Sequence, residues 1–154
     1  MSVRVIQFTQ EQVRTVTGIP PETLRHWRKI VPYLARRSGK AARFTFSDLV
    51  GLAVTREIID TFGVSITTVQ AGVETLFRVL AESQPSLLHR GVVIMTATTA
   101  RLYRPNQAIK LELSVPALVV PCRPHVERMQ KCLLPGRRTD EQPGLPFLLR
   151  AVRR

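Results

Sequence analysis

The sequence predicts an α+β protein, with four helices in the N-terminal half followed by a small antiparallel β-sheet and a short C-terminal helix. Two observations carry that prediction. Between Thr9 and Leu80, apolar residues recur at helical spacing, bracketed by cap and breaker residues. After Gly91 they run together or alternate in short stretches punctuated by Pro and Asn. The 154 residues leave room for one domain, or for a small domain plus an appendage. A hydrophobic fraction of 44% is enough for a core, and an aromatic fraction of 6% argues against a ring-packed β-sandwich.

Charge narrows the partners. Lys and Arg number 23 against 11 Asp and Glu, a formal net charge of +12, which points to a polyanion. The distribution is uneven. Residues 1–48 hold nine basic and three acidic side chains, residues 49–82 two and four, and residues 83–154 twelve and four. A near-neutral middle between basic ends reads as a packing layer between contact surfaces. The longest apolar runs, Gly91–Met95 and Ala117–Val120, fall far short of the ~20 residues of a membrane span. No secretory h-region is visible at the start, and two cysteines make no disulfide framework, so a reducing cytoplasm, beside the nucleoid, is expected.

Each helix has local reasons. Thr9 is an N-cap with Gln12 as its capping-box partner, Val13 and Val16 share a face, and Gly18 ends the helix spanning 10–17. Pro21 suits the first turn of a second helix, 21–30, reading PETLRHWRKI. Leu24 and Trp27 share its apolar face, while Thr23, Arg25, His26, Arg28 and Lys29 occupy the rest. Two short helices about a glycine-containing turn, the second cationic, describe a helix-turn-helix whose second helix enters a DNA major groove. Residues 32–43, PYLARRSGKAAR, then read as a basic hairpin, or wing, turning at Ser38-Gly39 and carrying Arg36, Arg37, Lys40 and Arg43 toward the flanking backbone. Phe44-Thr45-Phe46 would close it. Ser47 is expected to cap a third helix ending at Gly63. A fourth runs from Ser65 or Thr67 to Leu80 with Val69, Val73, Leu76, Phe77 and Leu80 buried.

Taken in order, Phe8-Thr9, Val13, Thr17-Gly18-Ile19, Thr23-Leu24-Arg25-His26-Trp27, the basic wing, Phe44–Leu49 with Leu52, and Phe62–Ile66 resemble the N-terminal domain of the MerR family of transcription regulators. The resemblance covers residues 8–80. It implies a winged helix-turn-helix that binds double-stranded DNA as a homodimer. Arg25 would contact the DNA backbone, Trp27 would stand where the family has an aromatic near that backbone, and Arg28 and Lys29 would anchor it. Thr23 and His26 are the nearest candidates for base edges. Ala42 stands where the family's wing arginine usually lies, and Arg43 follows. Typical members continue into a long coiled-coil dimer helix. Here Glu82-Ser83-Gln84-Pro85-Ser86 interrupts the helix and no heptad run follows.

The C-terminal half is expected to form strands at Val92–Thr96, at Ile109–Leu113 with its alternating pattern, and at Leu118–Val120, with a turn at Arg104–Gln107. A helix follows over His125–Leu134. Domain boundaries are therefore set at 1–82 for DNA binding, 83–134 for a β-rich dimerisation, effector or partner domain, and 135–154 for a basic flexible tail. The tail's five arginines against Asp140 and Glu141 could add nonspecific DNA affinity, or its Leu145–Val152 stretch could dock on a partner. Cys122, His125 and Cys132 are the one soft-ligand cluster, too sparse for a structural or sensing metal site. No nucleophile triad, phosphate loop or paired-carboxylate motif occurs, so neither enzyme activity nor a cofactor is expected. A sequence-specific transcription regulator is the first reading. The alternative is a DNA-binding adaptor or architectural protein, antitoxin-like or excisionase-like, whose residues 83–154 bind a protein partner.

Overall fold

The computed structural model describes residues 6–39 and 41–133. Its N-terminal half holds β1 (Gln7–Thr9), α1 (Gln10–Thr17), α2 (Pro21–Ile30), α3 (Pro32–Ala35), β2 (Arg43–Thr45), α4 (Phe46–Phe62) and α5 (Gln70–Glu82). Its C-terminal half holds α6 (Pro85–Arg90), β3 (Val92–Met95), β4 (Ala100–Tyr103), α7 (Pro105–Ala108), β5 (Leu118–Pro121) and α8 (Arg123–Leu133). The mixed class expected from the sequence is what the chain adopts, with a helical N-terminal unit and a C-terminal sheet plus helix.

α1 starts and stops where its caps dictate, and α2 opens on Pro21 without a side-chain cap. Thr9 Oγ1 accepts from Gln12 N, and Gln12 Oε1 accepts from Thr9 N at 2.8 Å, a reciprocal box that satisfies two orphan donors. Gly18 closes α1 at φ 68°, a left-handed conformation that a side chain strains. A Cβ there would also sit 2.8 Å from Nη1 of Arg56, whose guanidinium donates to Thr17 O at 2.8 Å. α4 thus grips the turn between α1 and α2.

Three local expectations need correction. The N-cap of α4 is Thr45, not Ser47. Thr45 has an acidic partner three residues on, and Asp48 Oδ2 accepts from Thr45 N at 2.9 Å, whereas Ser47 has Val50 at that spacing. Among the described residues of 32–43 no two-stranded hairpin forms. Pro32 starts the short helix α3, and β2 pairs antiparallel with β1, setting Phe8 opposite Phe44. That pairing buries both rings. α5 begins at Gln70, since Ser65 to Thr68 form a separate turn with Thr68 N on Ser65 O at 3.1 Å.

The sheet has the order β4-β3-β5, with both pairings antiparallel. Its second strand is Ala100–Tyr103; the expected strand 109–113 lies in no sheet, and Arg104–Gln107 is a turn's place taken by α7. The short connection decides this. Thr96 N donates to Thr99 O at 2.9 Å, and Thr96 Oγ1 accepts from Thr98 N and Thr99 N, closing a tight hairpin before the chain reaches Ile109. α8 runs from Arg123 and packs on α1, α4 and α6.

One hydrophobic core runs through both halves, from Phe8, Val13 and Trp27 to Val93, Val120, Val126 and Met129. The joint lies at Gly72 of α5, whose N–H donates to Ala97 O at 3.1 Å. A Cβ at Gly72 would stand 2.4 Å from Thr96 O, so only glycine lets the hairpin come this close. Among the described residues no helix is long and apolar enough to cross a membrane.

Candidate nucleic-acid interface

α2 divides as its sequence pattern demands. Leu24 and Trp27 turn into the core, while Arg25, His26 and Lys29 stand exposed on the outward side with Glu22, and Thr23 is half-buried at their edge. Positions 22, 25, 26 and 29 are helical neighbours, so the cations form one surface rather than a scatter. Arg36 and Arg43, also exposed, lie beyond α3 and on β2. Arg14, exposed in the last turn of α1, is a cation the sequence reading passed over.

Trp27 does not belong to that surface. It is 3% exposed and packs in the core, because the i, i+3 spacing that pairs it with Leu24 points it inward. Arg28 is held rather than free. Its Nη2 donates to Gln10 Oε1 at 3.2 Å and its guanidinium carbon lies 5.7 Å from the centre of the Phe44 ring. Its Nε is buried without a hydrogen-bond partner, and burial draws its pKa below the ordinary arginine value. Lys40 lies outside the described residues.

Arg37 also departs from the expectation of a backbone-contacting cation. Its Nε donates to Asp48 Oδ2 at 2.7 Å and its Nη2 to Tyr33 Oη at 3.1 Å. Tyr33 Oη in turn donates to Asp48 Oδ1 at 2.7 Å, and the Tyr33 ring stacks on Phe77 with centroids 5.0 Å apart. Burial, then the hydrogen bond and charge of Asp48, push the Tyr33 hydroxyl up to about 12, so it stays protonated and donating. The network bolts α3 and the start of α4 to α5. Of the described residues that the sequence assigns to DNA, Arg25, His26, Lys29 and Arg36 stand exposed, and Arg43 is exposed with its Nη1 donating to Ala42 O at 3.0 Å.

Cys122, His125 and Cys132 are not brought together as a ligand set. Cys122 is buried and Cys132 exposed, and His125 Nδ1 takes a 3.0 Å contact from Arg128 Nη2. Since arginine only donates, Nδ1 is the unprotonated nitrogen of a neutral ring. Among the described residues no group of three His, Cys, Asp or Glu side chains could hold a metal ion.

Two short helices about a left-handed glycine, with a cationic outer face on the second, define a helix-turn-helix domain of the DNA-binding class. Residues 8–74 match the MerR HTH family regulatory protein, so the chain carries a MerR-family helix-turn-helix domain from β1 into α5. That domain indicates DNA binding in transcription regulation, and a regulator rather than an enzyme. No curated protein and no solved structure matches the chain.

Proposed function

We propose that the protein is a sequence-specific transcription regulator that acts in the cytoplasm at the nucleoid, binding double-stranded DNA as a homodimer. α2 enters the major groove. Thr23 and His26 meet base edges, Arg25 and Lys29 meet phosphates, and Arg36, Lys40 and Arg43 follow the flanking backbone. The observation that carries this reading is the exposure of Arg25, His26 and Lys29 on one side of a helix whose other side is locked in the core. A rigid scaffold of this kind presents its cations without a backbone ordering cost, leaving only the side chains to be fixed on binding. Counterion release supplies affinity, and contacts to base edges supply selection.

The test is to pass sheared host DNA over the immobilised full chain at about 150 mM salt, near the physiological range, and to sequence what is retained. A few sites sharing an inverted repeat are expected. Retention with no enriched sequence would reject site-specific regulation.

A second reading is a DNA-binding adaptor whose residues 83–154 hold a protein partner. The exposed apolar side chains Ile109, Leu113, Val115 and Val119 favour it. It requires a different protein, rather than a second copy, on the C-terminal half.

A further inference from the structure

The segment Ile109–Val115 is used neither by the core nor by the cationic surface. Its apolar residues, Ile109, Leu111, Leu113 and Val115, alternate with Lys110, Glu112 and Ser114, the pattern of a half-buried strand, yet it belongs to no sheet. Ile109 is 86% exposed, Leu113 52% and Val115 53%. Clustered apolar exposure of this kind marks an interaction surface. The backbone is engaged only over the first three residues. Ile109 N and Leu111 N reach Pro105 O and Ala108 O only at 3.4 Å, and among the described residues no hydrogen bond engages the N–H groups of Glu112, Leu113, Ser114 or Val115.

We propose that this segment is the dimer interface, pairing with the same segment of a second copy of the chain as antiparallel strands across a two-fold axis at Leu111. The proposal rests on the homodimeric reading above and supplies its surface. Self-complementarity selects the occupant. With the axis at Leu111, Ile109 faces the partner's Leu113 and Lys110 faces the partner's Glu112, so both apolar residues and both charges find their match twice. Moving the axis by one residue sets Lys110 or Glu112 against itself, and parallel pairing opposes like charges throughout.

The backbone has unbonded N–H groups to offer to such a pairing. In an antiparallel pair the N–H groups of alternate residues face the partner. Those of Ile109 and Leu111 make only 3.4 Å bonds and that of Leu113 none among the described residues; Glu112 and Ser114 on the opposite edge are equally unbonded, so the register rests on the side chains. Ile109 must leave its helical conformation (φ −65°, ψ −26°) to join the strand, which gives up the 3.1 Å turn bond from Lys110 N to Gln107 O.

Sedimentation equilibrium of the full chain without DNA tests the proposal. Lys110→Glu or Glu112→Lys alone creates two like-charge oppositions, and either is expected to weaken dimerisation by about tenfold or more. An equal mixture of the two variants is expected to recover wild-type association as a heterodimer. The double variant K110E/E112K recovers it as a homodimer, which keeps the test open if a single variant folds poorly. A wild type that stays monomeric at its highest soluble concentration overturns both the surface and the dimeric reading. A dimer indifferent to the single changes, or one weakened by them and not rescued by mixing, overturns the surface alone. Recovery of a different protein bound at Ile109 and Leu113 in place of the second copy also overturns it.

Discussion

Arg37 Nε lies 2.7 Å from Asp48 Oδ2, with the carboxylate wholly buried and the guanidinium 27% exposed. A residue that a charge map assigns to DNA is thereby a structural cation. Its neighbour Arg36, identical in type, stands free.

The difference between these neighbours is measurable. Arg36→Ala should leave stability unchanged and reduce the slope of log affinity against log salt by about one contact's share, roughly 0.9. Arg37→Ala should destabilise the fold, because it strands a buried carboxylate that also serves Tyr33 Oη and Thr45 N. A cost of about 2–3 kcal/mol in urea unfolding is expected, with the solvent-exposed edge of the pair keeping it at the low end. Equal behaviour of the two variants in both assays would sink this assignment.

On α2 the contrast is between faces. Arg25→Ala should weaken binding to every duplex tested in an anisotropy titration and lower the salt slope, as befits a phosphate contact. Trp27→Ala should instead cost about 3–5 kcal/mol of stability by opening a core cavity. Undiminished affinity for Arg25→Ala would reject the docking of this helix.

The two thiols should behave oppositely. Burial raises Cys122 to about 12, whereas Cys132 is exposed. A thiol-specific chromogenic reagent at neutral pH should label one cysteine per native chain and both in denaturant. Rapid double labelling of the native protein would contradict the burial of Cys122 at the start of α8.

His125 makes stability pH-dependent. Burial first, then the charge of Arg128, lowers its pKa from 6.5, while Glu57 acts the other way. Protons therefore bind the unfolded chain before the folded one. The contribution is complete above about 6.5 and declines as pH falls below it toward the depressed folded value. The urea midpoint should drop between about pH 7.5 and 5.5, and His125→Gln should flatten that drop. An identical profile in the variant would show that other groups govern it.

What could be read in the chain follows from the range of the interactions. Thr9 with Gln12, Gly18, Pro21 and Gly63 place helix ends because each acts within four residues, and those ends fall where expected. The Phe8–Phe44 pair joins strands 36 positions apart, and nothing local in either triplet announces its partner. Ala100–Tyr103 is a strand because the Thr96–Thr99 turn returns the chain onto β3, against an alternation that favours 109–113. Arg36 and Arg37 carry the same label in sequence, and only the position of Asp48 separates them. The outward cations of α2 were legible because helical periodicity already places Leu24 and Trp27 on the other side.

The bond from Gly72 N to Ala97 O, within a core common to both halves, bears on how this protein can change over evolutionary time. A regulator assembled from separable parts can exchange its C-terminal part by recombination while keeping its DNA reader. Here a crossover at residue 83 would strip α5 of the hairpin that meets its first turn, and would strip α1 and α4 of α8. Any replacement would have to offer a carbonyl to Gly72 and an apolar surface of the same shape. Descent by small substitutions within one inherited body is the open route, and grafting is the closed one.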